Sequence, residues 1–324
     1  MSNALRILVT VPFKEHHLQR LRQAAGPDAV LRQTDVPADS AQMRELLRET
    51  DVVIGEPAPA LLAEGAPVRW VQMTWAGTDL YTRGEIPFPE GVILTNVAGT
   101  AYGHIISQYV VGQVLAIAQN LPAYVRLQEQ RLWQGVGAVM SLEGTQVLIL
   151  GAGDIGTCTA RRLQGFGVRC VGVCRNTATP RPHFDELVTL DEAEGCLGSS
   201  QVVVNCLPNV DDTAGWLDER RLRAMMPGSI LVNVGRGNFV DCDALARVLR
   251  DGHLRGAALD VTEPEPLPTS HPLWSEPRCV ITPHQAGGAF GKSDGTEERI
   301  CEVCCQNLRR FVAGEPLTHV VNTR

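Results

Sequence analysis

The chain has 324 residues, 44% of them hydrophobic and 20% charged, and 36 acidic side chains outnumber 29 basic ones for a formal net charge of -7. That balance, with no local run of Lys or Arg, excludes a nucleic-acid surface, and no segment reaches the ~20 apolar residues needed to cross a bilayer. The length allows two compact domains of roughly 150 residues each.

The N-terminal stretch MSNALRILVTVPF lacks a basic leader, a long apolar run and a small-residue cleavage site. Arg6–Val11 therefore reads as a first strand and the protein as cytoplasmic. Further β-branched, apolar runs follow at Asp51–Ile54, Val68–Gln72 and Val92–Thr95. A boundary is expected near Asn96–Gly99, followed by a long helix carrying Ile105, Ile106, Tyr109, Val110, Gln113, Val114 and Ile117 at helical spacing.

A second series of strands is expected at Gln146–Leu150, Val168–Val173, Gln201–Leu207, Ser229–Val234, Ala257–Val261 and Cys279–Thr282. One more helix, Glu297–Phe311, should cross back onto the first unit. Continuous apolar strands alternating with helices imply parallel sheets covered on both faces. The expected fold is thus α/β with two doubly wound parallel-sheet domains. One comprises residues 1–98 and 289–324, the other residues 99–288, and they should face each other across a cleft.

The ten cysteines, in a chain without a secretory leader, point to a reducing compartment. Cys301, Cys304 and Cys305 fall on one side of the return helix, and Cys170 and Cys174 on one face of a strand. With no histidine or fourth ligand nearby at zinc-like spacing, they read as small core hydrophobes, and no metal is expected.

The run Gln146-Val-Leu-Ile-Leu-Gly151-Ala-Gly153-Asp-Ile-Gly156 places G-x-G-x-x-G between a strand and a helix. Gly151 would permit the tight turn, Gly153 would let a pyrophosphate approach the backbone, and Gly156 would let the helix pack on the strand. The free N–H groups at the helix start would meet the phosphate charge. Where an acid that binds the adenosine ribose is usual, this chain has Cys174, Arg175 and Asn176. Removing the carboxylate and supplying Arg175 favours a 2'-phosphate, so NADP is expected over NAD.

Three ionisable groups follow three successive strands of the second series: Arg236, then Asp260 with Glu265, then His284. In a parallel sheet these positions share the edge that carries the glycine turn, the edge where ligands bind.

Over nearly its whole length the sequence resembles the D-isomer-specific 2-hydroxyacid dehydrogenase family. The matching pieces are Gly151-Ala-Gly-Asp-Ile-Gly156, Asn205-Cys-Leu-Pro208, Val232-Asn-Val-Gly-Arg236-Gly, Leu259-Asp-Val-Thr-Glu-Pro-Glu265-Pro and Thr282-Pro-His284. The resemblance implies a flavodoxin-like substrate domain with an inserted Rossmann domain, a homodimer built around the latter, and a catalytic triad of Arg236, Glu265 and His284. It implies that Asp260 meets the nicotinamide amide, and that backbone N–H groups of Trp75, Ala76 and Gly77 hold the substrate carboxylate. It extends the cofactor contacts to Asp154, Ile155, Leu207, Pro208, Thr213, Val234, Gly235 and Gly287, with Arg236 and His284 also touching the cofactor.

The chemistry supports those roles. Hydride delivery to a keto carbon leaves negative charge on oxygen, which needs a proton. Histidine is the side chain whose ordinary pKa, about 6.5, lies near neutral pH, which makes His284 the acid. Glu265 would orient the ring, with Glu263 as a rival. Arg236 offers a rigid fork of donors for a carboxylate and its adjacent carbonyl.

The expected function is therefore reduction of a small 2-keto acid, of the glyoxylate or hydroxypyruvate type, to the D-hydroxy acid. Two alternatives are a phosphoglycerate dehydrogenase, for which the first unit offers no clear basic phosphate cluster, and a cofactor-sensing protein like the corepressors that share the fold. Formate dehydrogenase relatives carry Gln where this chain has Glu265.

Overall fold

The computed structural model describes residues 4–209 and 211–321. It divides into two compact units, Met1–Tyr102 with Gly288–Arg324, and Gly103–Gly287. No helix among the described residues is long and apolar enough to cross a membrane.

The first unit is built on a five-stranded parallel sheet of β1 (Arg6–Val9), β2 (Val30–Gln33), β3 (Val52–Ile54), β4 (Trp70–Gln72) and β5 (Ile93–Thr95), in the order β2-β1-β3-β4-β5. Every residue of β3 and β4 is buried, as expected for central strands covered on both faces. The edge strand β2 is new relative to the sequence reading. Its residues alternate between exposed and half-buried, so it leaves no apolar run to detect.

The return helix Asp294–Ala313 belongs to this unit and buries Ile300, Cys301, Cys304, Cys305 and Leu308 completely. The three cysteines are thus packing residues on its inner stripe, and all ten thiols are free. Glu298 on the same helix accepts from the Nε2 atoms of His16 and His17, both at 2.9 Å, and from Arg20 at 2.6 Å. The His16 bond, helped by His17 and the charge of Arg20, holds the Glu298 carboxyl below its usual range. These contacts fasten the return helix to the helix Glu15–Ala25.

The second unit carries seven parallel strands: β6 (Gln146–Leu150), β7 (Arg169–Val173), β8 (Glu186–Val188), β9 (Val202–Asn205), β10 (Ile230–Asn233), β11 (Gly256–Leu259) and β12 (Cys279–Ile281). Their order is β12-β11-β10-β9-β6-β7-β8. Strands β9, β10 and β11 are fully buried, and the long helix Gly103–Ala118 packs Val110, Val114, Ile117 and Ala118 into the core on one side of the sheet. The short edge strand β8 was not visible in the sequence pattern.

The glycine turn follows β6 as the motif requires. Gly151 has φ +107, a conformation that disfavours any side chain. A Cβ at Gly156 would lie 2.0 Å from the Gly151 carbonyl oxygen, so only glycine lets the helix Asp154–Leu163 start this close to the strand.

Candidate active site

All strands of the second unit run in one direction, so the segments leaving β6, β9, β10, β11 and β12 share one edge. Two buried asparagines shape the centre of that edge. Asn205, ending β9, donates its amide to Asn233 Oδ1 at the end of β10, 2.9 Å away. Asn205 Oδ1 accepts from Leu207 N at 3.1 Å, and Asn233 Oδ1 accepts from Gly235 N at 3.2 Å. Each amide thus folds its own turn, which is the physical content of the Asn205–Pro208 and Val232–Gly237 motifs.

Beyond Gly235, the half-buried Arg236 is anchored at both ends. Its carbonyl accepts from Asn233 Nδ2 at 3.0 Å, and its Nη1 donates to Gly235 O at 2.8 Å. The next residue packs on the loop after β11, because a Cβ at Gly237 would sit 1.9 Å from Thr262 O. Thr262 N in turn donates to Glu265 Oε1 at 3.0 Å. The other carboxyl oxygen, Oε2, lies 3.0 Å from His284 Nδ1. The structure therefore joins Glu265, not Glu263, to the imidazole, and packs the Arg236 turn against the loop that holds Glu265.

His284 itself has φ +53, in the left-handed region that a β-substituted residue seldom occupies. Its N–H donates to the carbonyls of Asp260 (2.8 Å) and Thr282 (3.0 Å). Asp260 then completes the clamp with its side chain. Oδ1 accepts from Thr282 Oγ1 at 2.6 Å and Gln285 N at 2.8 Å, and Oδ2 accepts from Ala286 N at 2.9 Å. Tyr109, reaching from the long helix, lies 2.8 Å from Thr282 Oγ1, and burial pushes its phenol up to about 12.

Only 4% exposed, the Asp260 carboxylate shapes the 282–286 loop, and Oδ2 keeps acceptor capacity beyond its bond to Ala286 N. Gly287, half-buried, ends the same loop.

The remaining expected cofactor contacts lie on the same edge but differ in availability. Nothing lies within 4 Å of a Cβ built at Gly153, so the space outside the turn is clear where a pyrophosphate would need it. The residues thus fit a dinucleotide, with Gly153 and the first-turn backbone of Asp154 and Ile155 as its cradle. The Asp154 side chain is not part of that cradle, because it accepts from Gly103 N at 2.8 Å. Leu207 and Val234 line the turns described above, Pro208 is exposed, and buried Thr213 bonds Pro208 O at 3.1 Å.

Arg175 and Asn176 are exposed just past β7, Asn176 capping a turn through Ala178 N at 3.1 Å. Sequence reasoning missed Arg181, whose Nη1 grips Ala152 O inside the glycine turn at 2.6 Å. A spacing of 29 residues carries no motif that would have found it.

In the first unit, the loop after β4 was expected to offer the N–H groups of Trp75, Ala76 and Gly77. One of these is committed elsewhere: Trp75 N donates to Glu56 Oε1 at 3.2 Å. The N–H groups of Ala76 and Gly77 make no hydrogen bond to the described residues, and the Trp75 side chain stands 51% exposed.

Residues 111–286 match the D-isomer specific 2-hydroxyacid dehydrogenase, NAD binding domain. The chain is 32% identical to glyoxylate/hydroxypyruvate reductase A of Serratia proteamaculans over 72% of its own length and 75% of that protein's. The chain belongs to the D-isomer specific 2-hydroxyacid dehydrogenase family.

Solved structures agree. A family member from Aeromonas salmonicida superposes with a TM-score of 0.86 at 32% identity, covering 99% of each chain. Another, from Xanthobacter autotrophicus, was solved in complex with NADPH and MES; it has a TM-score of 0.79 at 28% identity and covers 100% of this chain and 99% of that one. The matched residues 111–286 fall within the second unit, Gly103–Gly287.

Proposed function

We propose that the protein is an NADPH-preferring reductase of a small 2-keto acid of the glyoxylate or hydroxypyruvate type, with Arg236, Glu265 and His284 as its catalytic residues. The observation that carries this reading is the Glu265–His284 pair, 3.0 Å apart, on the edge that also holds the glycine turn. The related Serratia reductase and the NADPH-bound Xanthobacter family member support the choice of substrate and cofactor.

The second unit is the cofactor domain in this reading, and the first supplies the substrate loop. When bound, the nicotinamide supplies the hydride for C2 of the keto acid. Glu265 accepts from His284 Nδ1, which directs Nε2 and its proton toward the oxygen that gains charge. Arg236 clamps the carboxylate and polarises the carbonyl beside it. The N–H groups of Ala76 and Gly77 take a second share of the carboxylate charge.

Cofactor choice rests on Arg175, exposed beyond β7 with no carboxylate in the ribose position. Steady-state rates with glyoxylate, hydroxypyruvate and pyruvate, each with both cofactors, test function and preference together. Arg175→Ala should lower kcat/KM for NADPH by about tenfold or more, as expected for loss of a charge-assisted contact, and leave NADH nearly unchanged. A wild-type preference for NADH would sink the assignment.

We also assign a homodimer, supported by the apolar side chains displayed on and after the helix Leu121–Glu129: Leu121, Val125, Leu132, Trp133 and Val139, each at least 50% exposed. Trp133→Arg should then sediment as a monomer; an unchanged wild-type monomer would refute it. Ten free thiols suit a reducing cytoplasm, a placement that cell fractionation tests.

A further inference from the structure

The polar backbone of the loop after β4 can be accounted for group by group. Thr74 N donates to Glu56 Oε1 at 2.6 Å, and Thr74 Oγ1 lies 3.0 Å from Oε1 and 3.2 Å from Oε2. Trp75 N donates to the same Oε1 at 3.2 Å. The carbonyls point the other way. Thr74 O accepts from the buried Tyr102 hydroxyl at 3.0 Å, Trp75 O from Val97 N at 3.4 Å, and Ala76 O from Asn96 Nδ2 at 2.8 Å. Among the N–H groups that donate to no described residue are the consecutive pair at Ala76 and Gly77.

Glu56 stands just past β3, held in place by its own neighbours: Tyr81 donates its hydroxyl to Pro57 O at 2.7 Å. Its role requires an acceptor oxygen facing both N–H groups. An ionised carboxylate has about four lone-pair sites and no hydrogen to turn against an N–H. Burial pushes the Glu56 carboxyl up, against the downward pull of Thr74 and Trp75. Thr74 and Trp75 supply the hydrogen bonds that its carboxylate accepts among the described residues.

We propose that Glu56 is a positioning residue for substrate: it draws the N–H groups of Thr74 and Trp75 away, which sets the loop so that Ala76 and Gly77 present theirs, side by side, to the substrate carboxylate. This rests on the reading of that loop as the carboxylate site. Glu56 touches neither substrate nor cofactor, and its effect is on keto-acid binding, not on chemistry.

The test compares Glu56→Ala and Glu56→Gln with wild type. It uses glyoxylate kinetics at saturating NADPH, NADPH affinity by fluorescence, and calorimetric binding of oxalate, which needs no turnover. Glu56→Ala should raise the glyoxylate KM and the oxalate Kd by about ten- to a hundredfold, the range for misplaced donors to a charged group. Its kcat should stay within about threefold of wild type, by the same uniform-binding logic, and its NADPH affinity should not move.

Glu56→Gln keeps the acceptor oxygen and can donate to Thr74 Oγ1, so it should restore both constants to wild-type values or lower. An alanine variant with unchanged oxalate affinity, or a glutamine variant as impaired as alanine, overturns the proposal. Should the alanine chain fail to fold, the glutamine variant decides alone, since raised constants there contradict it. If wild type reduces no 2-keto acid, the functional reading falls, while the oxalate titrations still decide what Glu56 does.

Discussion

Replacing His284 with glutamine is expected to lower kcat by roughly a hundred- to ten-thousandfold, the usual contribution of a positioned general acid. Glutamine fills a similar volume and can still bond Glu265, but it has no proton to give at neutral pH. NADPH affinity should fall far less than kcat, because the glycine turn and the Arg175 segment, which leave β6 and β7, still hold the dinucleotide. Stopped-flow or steady-state rates with the best keto acid of the panel provide the measure. A variant retaining a third of wild-type kcat would remove His284 from the mechanism, and with it the central assignment of this protein.

The second large effect belongs to a residue that transfers no proton. Asp260→Ala strips the acceptors from Thr282 Oγ1, Gln285 N and Ala286 N at once. Ala286 is 5% exposed and Asp260 4%, so water cannot replace these bonds freely. Each donor left unsatisfied costs about 1–3 kcal/mol.

The loop then loses the side-chain acceptors that help to hold His284 at its left-handed φ of +53. The expected result is a fall in kcat approaching that of the His284 variant, together with a clear drop in Tm. Asparagine should rescue only in part, because its amide N–H would face the N–H of either Gln285 or Ala286. An Asp260→Ala enzyme with normal kcat and normal Tm would show that the loop is held by something else.

The sheets were legible where burial on both faces makes strands continuous in Val, Ile and Leu, as in β9, Val202–Asn205. They were not legible at β2 and β8, edge strands whose exposed positions break the apolar run. The glycine turn was readable because Gly151 and Gly156 each answer a steric demand that no other residue meets.

The occupation of Asp260 was hidden. It depends on two N–H groups of a loop whose backbone turn at a histidine leaves no mark in sequence. Glu56 was hidden for a related reason: 18 residues separate it from Thr74, and only the pairing of β3 with β4 brings them together. Arg181 likewise meets the glycine turn only through the fold.

The left-handed backbone at His284 has a further consequence. Non-glycine residues held there cost the fold on the order of 1–3 kcal/mol, a penalty that glycine escapes. Directed evolution for heat resistance alone would therefore reward loss of the very side chain on which the proposed chemistry depends. Any thermostabilising campaign on this scaffold needs a turnover screen beside it, because at this position robustness and reactivity are selected in opposite directions.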